Sequence, residues 1–263
     1  NFLETVDRAL ECRVDKERVA VSLRGRETLV RALPISIAWP SSRAEPGPSK
    51  ADLLRGLGLR GDLLGVGVDR VDYTKGLVER FAAIERLLER YPEYLGRLVF
   101  AQLAAPSRTL IPRYHQLLEE VRSEAERVNL RFASKQWRPI AFLEAHHSRA
   151  DIDPYYRAAD FCLVSSLHDG MNLVAKEFVS TREDELGVLL LSRFTGASRE
   201  LHDALKINPY DAGAVAEAIR AAITMDPAEQ RRRMGAMRRH LKSQNAFQWA
   251  ARLLEELSKV RTP

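Results

Sequence analysis

At 263 residues, with 45% hydrophobic and 29% charged residues, the chain has an ordinary globular composition, which excludes disordered, collagen-like and disulfide-rich classes. The 41 basic residues exceed the 36 acidic ones by a modest +5, which suits an anionic partner such as a nucleotide, a phosphosugar or a nucleic acid. Apolar segments such as 161–164 are far shorter than the about 20 residues of a membrane span, and the two cysteines, Cys12 and Cys162, suit a reducing cytoplasm.

The first 40 residues differ in pattern from the rest of the chain. Two β-prone segments, 19–23 and 28–33, flank Arg24-Gly25-Arg26, which predicts a hairpin with a glycine turn. The stretch 41–49 is rich in Ser, Pro and Gly and predicts a linker. We therefore expect residues 1–45 to be the end of a preceding domain and 46–263 to be a second domain. The start, Asn-Phe-Leu-Glu, has no initiator methionine or secretory signal, so we expect a fragment or a processed product.

From about residue 60, short apolar segments alternate with amphipathic ones, which predicts a parallel sheet with intervening helices. The first amphipathic segment is 76–90, and from Asp211 onward the pattern predicts helices only. Right-handed crossovers then give an α/β, Rossmann-like doubly wound sheet, in which ligands bind beyond the carboxyl ends of the strands. The predicted strands are 63–68, 98–103, 139–143, 161–164 and 188–192.

Much of the basic excess lies near the C-terminus, in 231–233 and 238–240. The apolar residues Met234, Met237 and Leu241 fall on the other side of the same helical pattern, which predicts a solvated helix face. Aromatic residues are not interleaved with these charges, so the pattern disfavours nucleic-acid binding.

The first dense motif is Gly67-Val-Asp-Arg-Val-Asp-Tyr-Thr-Lys-Gly76, which leaves a strand and enters a helix. It places Arg70 and Lys75 in the connecting loop, where two cations can neutralise a diphosphate leaving group without a metal. The alternative is a surface ion-pair cluster of these cations with Asp69 and Asp72. The motif matches neither a Walker A loop nor the dinucleotide-binding fingerprint.

The second motif is His168-Asp-Gly-Met-Asn-Leu-Val-Ala-Lys-Glu177, which follows the segment 161–164 and enters a helix near Asn172. A glycine after an aspartate lets the backbone approach a ligand closely, and the free amides of a helix start can bind phosphate or sugar oxygens. Glu177 falls about one and a half turns into that helix, where it can accept hydrogen bonds from a ribose diol. The alternative is a surface ion pair of Glu177 with Lys176 or Arg182.

These two loops resemble those of trehalose-6-phosphate synthases. The resemblance covers roughly residues 60–257 and is weaker across 1–40. It implies two Rossmann-like domains facing each other across a cleft in a glycosyltransferase B fold, and this chain is similar to the C-terminal, nucleotide-sugar-binding domain. The further segments that carry it, in the same order, are Ala105-Pro-Ser-Arg108, Ala158-Ala-Asp160, 187–192, Phe194-Thr-Gly-Ala197 and Asn208-Pro-Tyr-Asp211.

The resemblance implies roles for residues at matching positions. Arg70 and Lys75 would bind the diphosphate of UDP- or GDP-glucose and stabilise the departing charge, and Asp169 would bind the transferred glucose, so these three are the expected catalytic residues. Glu177 would bind the ribose hydroxyls. The backbone amides of Gly170, Met171, Asn172 and Leu173 would contact sugar and phosphate.

Three further positions carry less regular matches. Arg108 resembles the residue that reaches across the cleft to the phosphate of the acceptor. His147 lies in the segment 145–148, which aligns with residues near the nucleobase but departs from the usual side chains. His168 stands where many relatives have an arginine, so substrate preference could differ here.

The implied reaction transfers glucose from the nucleotide donor to glucose 6-phosphate with retention at the anomeric carbon. No cofactor is expected beyond the UDP-glucose or GDP-glucose substrate. No metal is expected either, because the adjacent His146 and His147 do not face one ligand and no Cys or carboxylate cluster completes a site.

The expected partners are a nucleotide sugar, a phosphosugar and the N-terminal domain of the same enzyme, with a homo-oligomer left open. Because that domain holds most acceptor-binding residues in the family, we expect this chain alone to be inactive. Two alternatives remain: another phosphorylated acceptor, as in glucosylglycerol-phosphate or pseudo-disaccharide phosphate synthases, and a non-catalytic sugar-nucleotide sensor.

Overall fold

The computed structural model describes residues 2–40 and 47–259, which fall into two compact units. The first unit comprises the described residues of Asn1–Ile35 and Trp249–Pro263, and the second is Ser36–Gln248. The predicted domain boundary at residues 45 and 46 touches the segment 41–46, which lies outside the described residues, so the predicted division stays a prediction.

The first unit contains a small antiparallel sheet. Strands β2 and β3 form the predicted hairpin, and its turn residues Arg24 and Gly25 have φ values of 49° and 78°. Positive φ at both turn positions matches the right-handed twist of the strands, which is why glycine is favoured there. A third strand, β1, pairs with β2 and was not predicted, since its three residues are too short for a pattern. The elements are α1 Phe2–Ala9, β1 Arg13–Asp15, β2 Ala20–Leu23 and β3 Arg26–Leu29.

The second unit is built on a six-stranded sheet in the order β6-β5-β4-β7-β8-β9, with every neighbouring pair parallel. The chain winds outward from β4 to β6, returns, and winds outward again from β7 to β9, so the predicted doubly wound sheet is confirmed. Strand β9 was not predicted because it is only three residues long. The strands are β4 Leu63–Arg70, β5 Leu98–Ala105, β6 Ile140–Glu144, β7 Phe161–Val164, β8 Val188–Ser192 and β9 Leu205–Ile207.

Helices connect the strands and cover the sheet. Helix α3 packs with α4 and α7, and α6 packs with α5 and α8. The strands between these layers are buried on both faces, as Leu64, Phe100 and Phe161 at 0% exposure show. The helices of this unit are α2 Lys50–Gly56, α3 Leu77–Arg90, α4 Pro112–Phe132, α5 Arg149–Ala158, α6 Leu173–Thr181, α7 Ala212–Ile223 and α8 Pro227–Ser243. Most of the last helix, α9 Ala246–Ser258, belongs to the first unit.

The basic C-terminal segment forms helix α8. Met234, Met237 and Leu241 are buried. Of the basic residues predicted to be solvated, Arg231, Arg232 and Arg239 are exposed, whereas Arg233, Arg238 and His240 are half-buried, so the prediction holds for only part of the segment. Among the described residues, none of the helices combines the length and apolar character needed to cross a membrane.

The position between β4 and β7 differs from the rest of the sheet. The chain winds away from β4 toward one edge of the sheet and away from β7 toward the other, so its direction of winding reverses between these two neighbouring strands. In doubly wound sheets, the crevice at the carboxyl ends of such a pair of strands is where ligands bind, so this is the expected position of the site.

Candidate functional site

The loops that follow β4 and β7 meet at this crevice. The amide of Leu167 donates a hydrogen bond to the carbonyl oxygen of Thr74 over 2.8 Å. The Lys75 ammonium lies 2.5 Å from Oδ2 of Asp169. These contacts join the two sequence motifs into one site across 94 positions of the chain.

Gly76 lets the first loop pass close to the second. Lys75 ends a short 3₁₀-helix, Tyr73–Lys75, and the next residue, Gly76, has a φ of 63° and is the N-cap of helix α3. A Cβ atom at Gly76 would overlap the backbone oxygen of Ser165. Both the left-handed conformation and the lack of space require glycine here.

Asp169 is held in its ionised form. Its Oδ1 accepts a hydrogen bond from the amide of Met171, and its Oδ2 accepts one from Nδ2 of Asn172. Partial burial acts to raise the pKa of this carboxyl, but Lys75 and these hydrogen bonds outweigh burial and place the pKa below its usual 3.8. A carboxylate at neutral pH accepts hydrogen bonds, as from a sugar hydroxyl, and cannot act as a general acid.

The start of helix α6 lies beside Asp169. Asn172 has a φ of 75°, and its side-chain Oδ1 accepts a hydrogen bond from the amide of Ala175, which caps the helix. A non-glycine residue in the left-handed region is uncommon, and such strain is concentrated at functional sites. Gly170 is exposed, while Met171 and Leu173 are half-buried, so the predicted backbone segment borders the crevice.

Glu177 lies one helical turn further along α6 and is half-buried. Burial raises the pKa of its carboxyl above the usual 4.5, against the opposing effect of Arg149, which lies 3.2 Å away. The two residues that the sequence offered as ion-pair partners of Glu177 form other ion pairs. Lys176 binds Glu200 at 2.9 Å, and Arg182 binds Asp184 at 2.9 Å. Sequence reasoning missed Arg149, because a residue 28 positions upstream gives no local signal.

The cations and acids of the first motif take different positions. Arg70 is exposed at the carboxyl end of β4, while the Lys75 ammonium is largely buried beside Asp169. Asp72 accepts a hydrogen bond from the amide of Thr74 and caps the 3₁₀-helix. Asp69 is buried and pairs with Arg80 at 2.8 Å, so the expected alternative of a surface cluster with Asp69 does not describe this loop.

Arg108 lies in the loop after β5, in an uncommon conformation with a φ of 48°. Its guanidinium donates to the hydroxyl of Tyr114 over 2.8 Å and stacks on that ring. The Tyr114 hydroxyl in turn donates to Asp72 over 3.3 Å, which connects Arg108 to the loop that carries Lys75. Arg108 and His146 line an open cavity of about 470 Å³.

The two adjacent histidines have different surroundings. His147 contacts the carbonyl oxygen of Leu143 through Nε2, while His146 is exposed. Across residues 2–40 and 47–259, no group of three or more His, Cys, Asp or Glu side chains is placed to hold a metal ion.

A doubly wound sheet with cations, a carboxylate and a helix start at its switch point is typical of a glycosyltransferase domain that binds an activated sugar. The model of glycosyltransferase family 20 matches residues 1–259, and the chain belongs to this family.

Curated relatives and solved structures agree with that assignment. The chain is 37% identical over its whole length to a bifunctional trehalose-6-phosphate synthase/phosphatase of Thermoproteus tenax, covering 36% of that protein. It is 39% identical over 88% of its length to a trehalose-6-phosphate synthase of Sodalis glossinidius, covering 50% of it. The chain thus spans half or less of the length of these two relatives.

Two solved structures show the same fold. A UDP-forming alpha,alpha-trehalose-phosphate synthase from Burkholderia xenovorans matches 100% of this chain and 59% of its own length, with 34% identity and a TM-score of 0.87. A trehalose-6-phosphate protein from E. coli, bound with UDP-2-fluoro glucose, matches 99% of this chain and 58% of its own, with 32% identity and a TM-score of 0.88. The predicted glycosyltransferase B fold is confirmed.

Proposed function

We propose that this chain is the donor-binding part of a retaining glucosyltransferase that transfers glucose from UDP-glucose to glucose 6-phosphate, giving trehalose 6-phosphate. The relatives support the donor and product, since they include UDP-forming trehalose-phosphate synthases. The E. coli structure with UDP-2-fluoro glucose and a Burkholderia xenovorans structure with glucose-6-phosphate support the two substrates. The UDP-forming relatives favour uracil over guanine as the donor base.

The observation that carries the proposal is the contact between Lys75 and Asp169 at the switch point of the sheet. A diphosphate beside Lys75 would be neutralised by its ammonium and by the exposed guanidinium of Arg70. The ionised Asp169 would then accept a hydrogen bond from a hydroxyl of the transferred glucose. The donor bond that breaks in the reaction would therefore lie beside this ion pair, with its diphosphate end near Lys75 and its glucose end near Asp169.

This placement suits a reaction on one face of the sugar. The bond between the anomeric carbon and the diphosphate oxygen breaks while the bond to the acceptor oxygen forms. The acceptor proton passes to the departing diphosphate, so no carboxylate nucleophile is needed. Lys75 and Arg70 act on charge that develops in the transition state, which is where stabilisation accelerates a reaction.

The remaining predicted residues keep their proposed roles around this centre. Glu177 would accept hydrogen bonds from the ribose hydroxyls, and Arg108 would bind the acceptor phosphate. The backbone near His147 would border the nucleobase, and the amides of 170–173 would contact sugar and phosphate. A second domain would supply the other acceptor contacts.

We also propose that the protein works in a reducing cytoplasm, in line with its free thiols Cys12 and Cys162.

The test is calorimetric titration of this chain with UDP, GDP and their glucose conjugates. Lys75→Ala is expected to weaken UDP binding about 30-fold, because a charge-assisted hydrogen bond contributes roughly 2 kcal/mol. In an enzyme that carries this domain together with its acceptor half, the same change should lower turnover far more than stability.

Lys135→Ala is the matched control, because Lys135 is an exposed lysine at the amino edge of the sheet, just before β6. It should leave the UDP affinity unchanged. Failure of the unaltered chain to bind UDP or GDP, or equal effects of the two lysine changes, would refute the proposal.

A further inference from the structure

Arg80 carries a buried charge that the roles proposed above do not use. It lies in the first turns of α3, and its side chain is fully buried. Its guanidinium donates to Asp69 over 2.8 Å, to Gln102 over 2.5 Å and to the hydroxyl of Ser165 over 2.9 Å. The three partners come from β4, from β5 and from the segment that follows β7, so one side chain joins three adjacent strands below the crevice.

The surrounding sequence makes room for this side chain. A Cβ atom at Gly67 would overlap Nη1 of Arg80, so the guanidinium occupies space that only glycine leaves free. A buried ion pair contributes little net stability compared with apolar side chains of similar volume, because both charges lose their hydration. Stability alone therefore does not explain why an arginine fills this position.

Ser165 connects Arg80 to the residues of the site. Its hydroxyl accepts the hydrogen bond from Arg80 and donates to the carbonyl oxygen of Gly76 over 2.9 Å, with that of Lys75 at 3.3 Å. Ser165 also begins the segment that leads to Asp169. The same hydroxyl is therefore bonded to Gly76, the residue that follows the one bearing the ammonium, and Ser165 lies four positions before the carboxylate.

We infer that Arg80, acting through Ser165, is a positioning residue that sets the Lys75 ammonium at the diphosphate position beside Asp169. The inference rests on the proposed donor function and adds two residues that do not touch the ligand. If Arg80 and Ser165 fix the position of the Lys75 ammonium, their loss weakens contacts to the diphosphate and spares contacts to the nucleoside. A general loss of folding would weaken both.

The test compares UDP with uridine, which lacks the diphosphate. Ser165→Ala is expected to lower the UDP affinity about tenfold, measured by calorimetry, and to change the uridine affinity by less than about twofold, measured by ligand-observed NMR. In a Lys75→Ala background, Ser165→Ala should have almost no further effect on UDP binding. Ser165→Cys, which keeps a weaker donor in a slightly larger side chain, should lie between wild type and Ser165→Ala.

Trp137→Phe serves as the control for lost stability. It removes a buried hydrogen bond from Trp137 to the carbonyl oxygen of Leu98, at the opposite edge of the sheet. It should lower the melting temperature without changing the ratio of UDP to uridine affinity. Equal losses for UDP and uridine in Ser165→Ala, or additive effects with Lys75→Ala, overturn the inference. A wild-type chain that binds no UDP overturns the proposed function first, and the inference with it.

Discussion

Lys75 and Asp169 are each about one-sixth exposed, at 16% and 17% of their side-chain surface, so water screens their ion pair only partly. A bound diphosphate would compete with Asp169 for the ammonium, and a bound glucose would replace Lys75 as a partner of the carboxylate. UDP-glucose satisfies both groups at once, whereas UDP alone satisfies only one. On the proposed function, the pair would thus favour the intact donor over the nucleotide left after transfer.

The raised pKa of Glu177 gives a prediction about nucleoside binding. Only the ionised carboxylate accepts two ribose hydroxyls, and burial raises its pKa above the usual 4.5 despite the nearby Arg149. As the pH is lowered, the affinity for uridine should therefore begin to fall before the pH reaches 4.5. NMR titration across this range measures the effect.

Glu177→Gln should bind uridine more weakly and lose this pH dependence. Glu126→Gln, at an exposed glutamate on α4, should keep it. If the profile of Glu177→Gln still shows the same fall, another group controls binding.

At the level of elements, α3 and α4 are joined by a ladder of charges. Glu85 on α3 binds both Arg127 and Arg131 of α4, at 2.5 and 2.7 Å, and Arg131 also binds Glu89 at 2.5 Å. These arginines hold the pKa of Glu85 at about 2, because their hydrogen bonds outweigh its partial burial. Helix α3 carries Arg80 on its buried side, so the ladder also fixes the helix behind the site.

The depressed pKa of Glu85 determines how the ladder responds to acid. The stabilisation is complete above the unfolded value of 4.5 and is lost as the pH falls toward about 2. Glu85→Gln should lower the free energy of unfolding by about 1 kcal/mol at pH 7, a value discounted because both arginines are half-exposed. Urea unfolding at several pH values measures this, and the difference from wild type should shrink toward pH 2.5. A constant difference across this range would contradict the assignment.

Periodicity was sufficient to predict the long elements of the second unit. Strands β4, β5, β7 and β8 are mostly apolar along their length, and α3 follows its amphipathic pattern from Leu77 to Arg90. The three-residue strands β1 and β9 were missed, because they are too short to show a period and depend on neighbours distant in sequence.

The site was predictable where its residues are adjacent in sequence. The Lys75 loop and the Asp169 loop each form a dense motif, and strand order then brings them together. Arg80 and Tyr114 gave no such signal, because a polar residue on an amphipathic helix is ordinarily solvated and only tertiary packing buries these two. The same holds for Lys176, which is fully buried against Glu200.

For the whole molecule, the length of the match has a consequence for activity. The chain covers 50% of the Sodalis synthase and 59% of the Burkholderia structure, and all the contacts that we propose here, except that of Arg108, concern the donor. We expect this chain to bind UDP-glucose without transferring glucose to glucose 6-phosphate. A coupled assay of UDP release measures this, with the full-length Sodalis synthase as the active control. Release that depends on glucose 6-phosphate and disappears in Lys75→Ala would contradict the expectation.

The 94 positions between Lys75 and Asp169 also bear on how the protein forms. Strand β4 acquires its neighbour β7 only after β5, β6 and their helices have been synthesised, since β7 begins at Phe161. Closing so long a loop is entropically costly and slow compared with local pairing. The ion pair therefore cannot exist on a ribosome-bound chain that stops short of β7. On the proposed function, the time at which UDP begins to bind during refolding would therefore show when β4 and β7 pair.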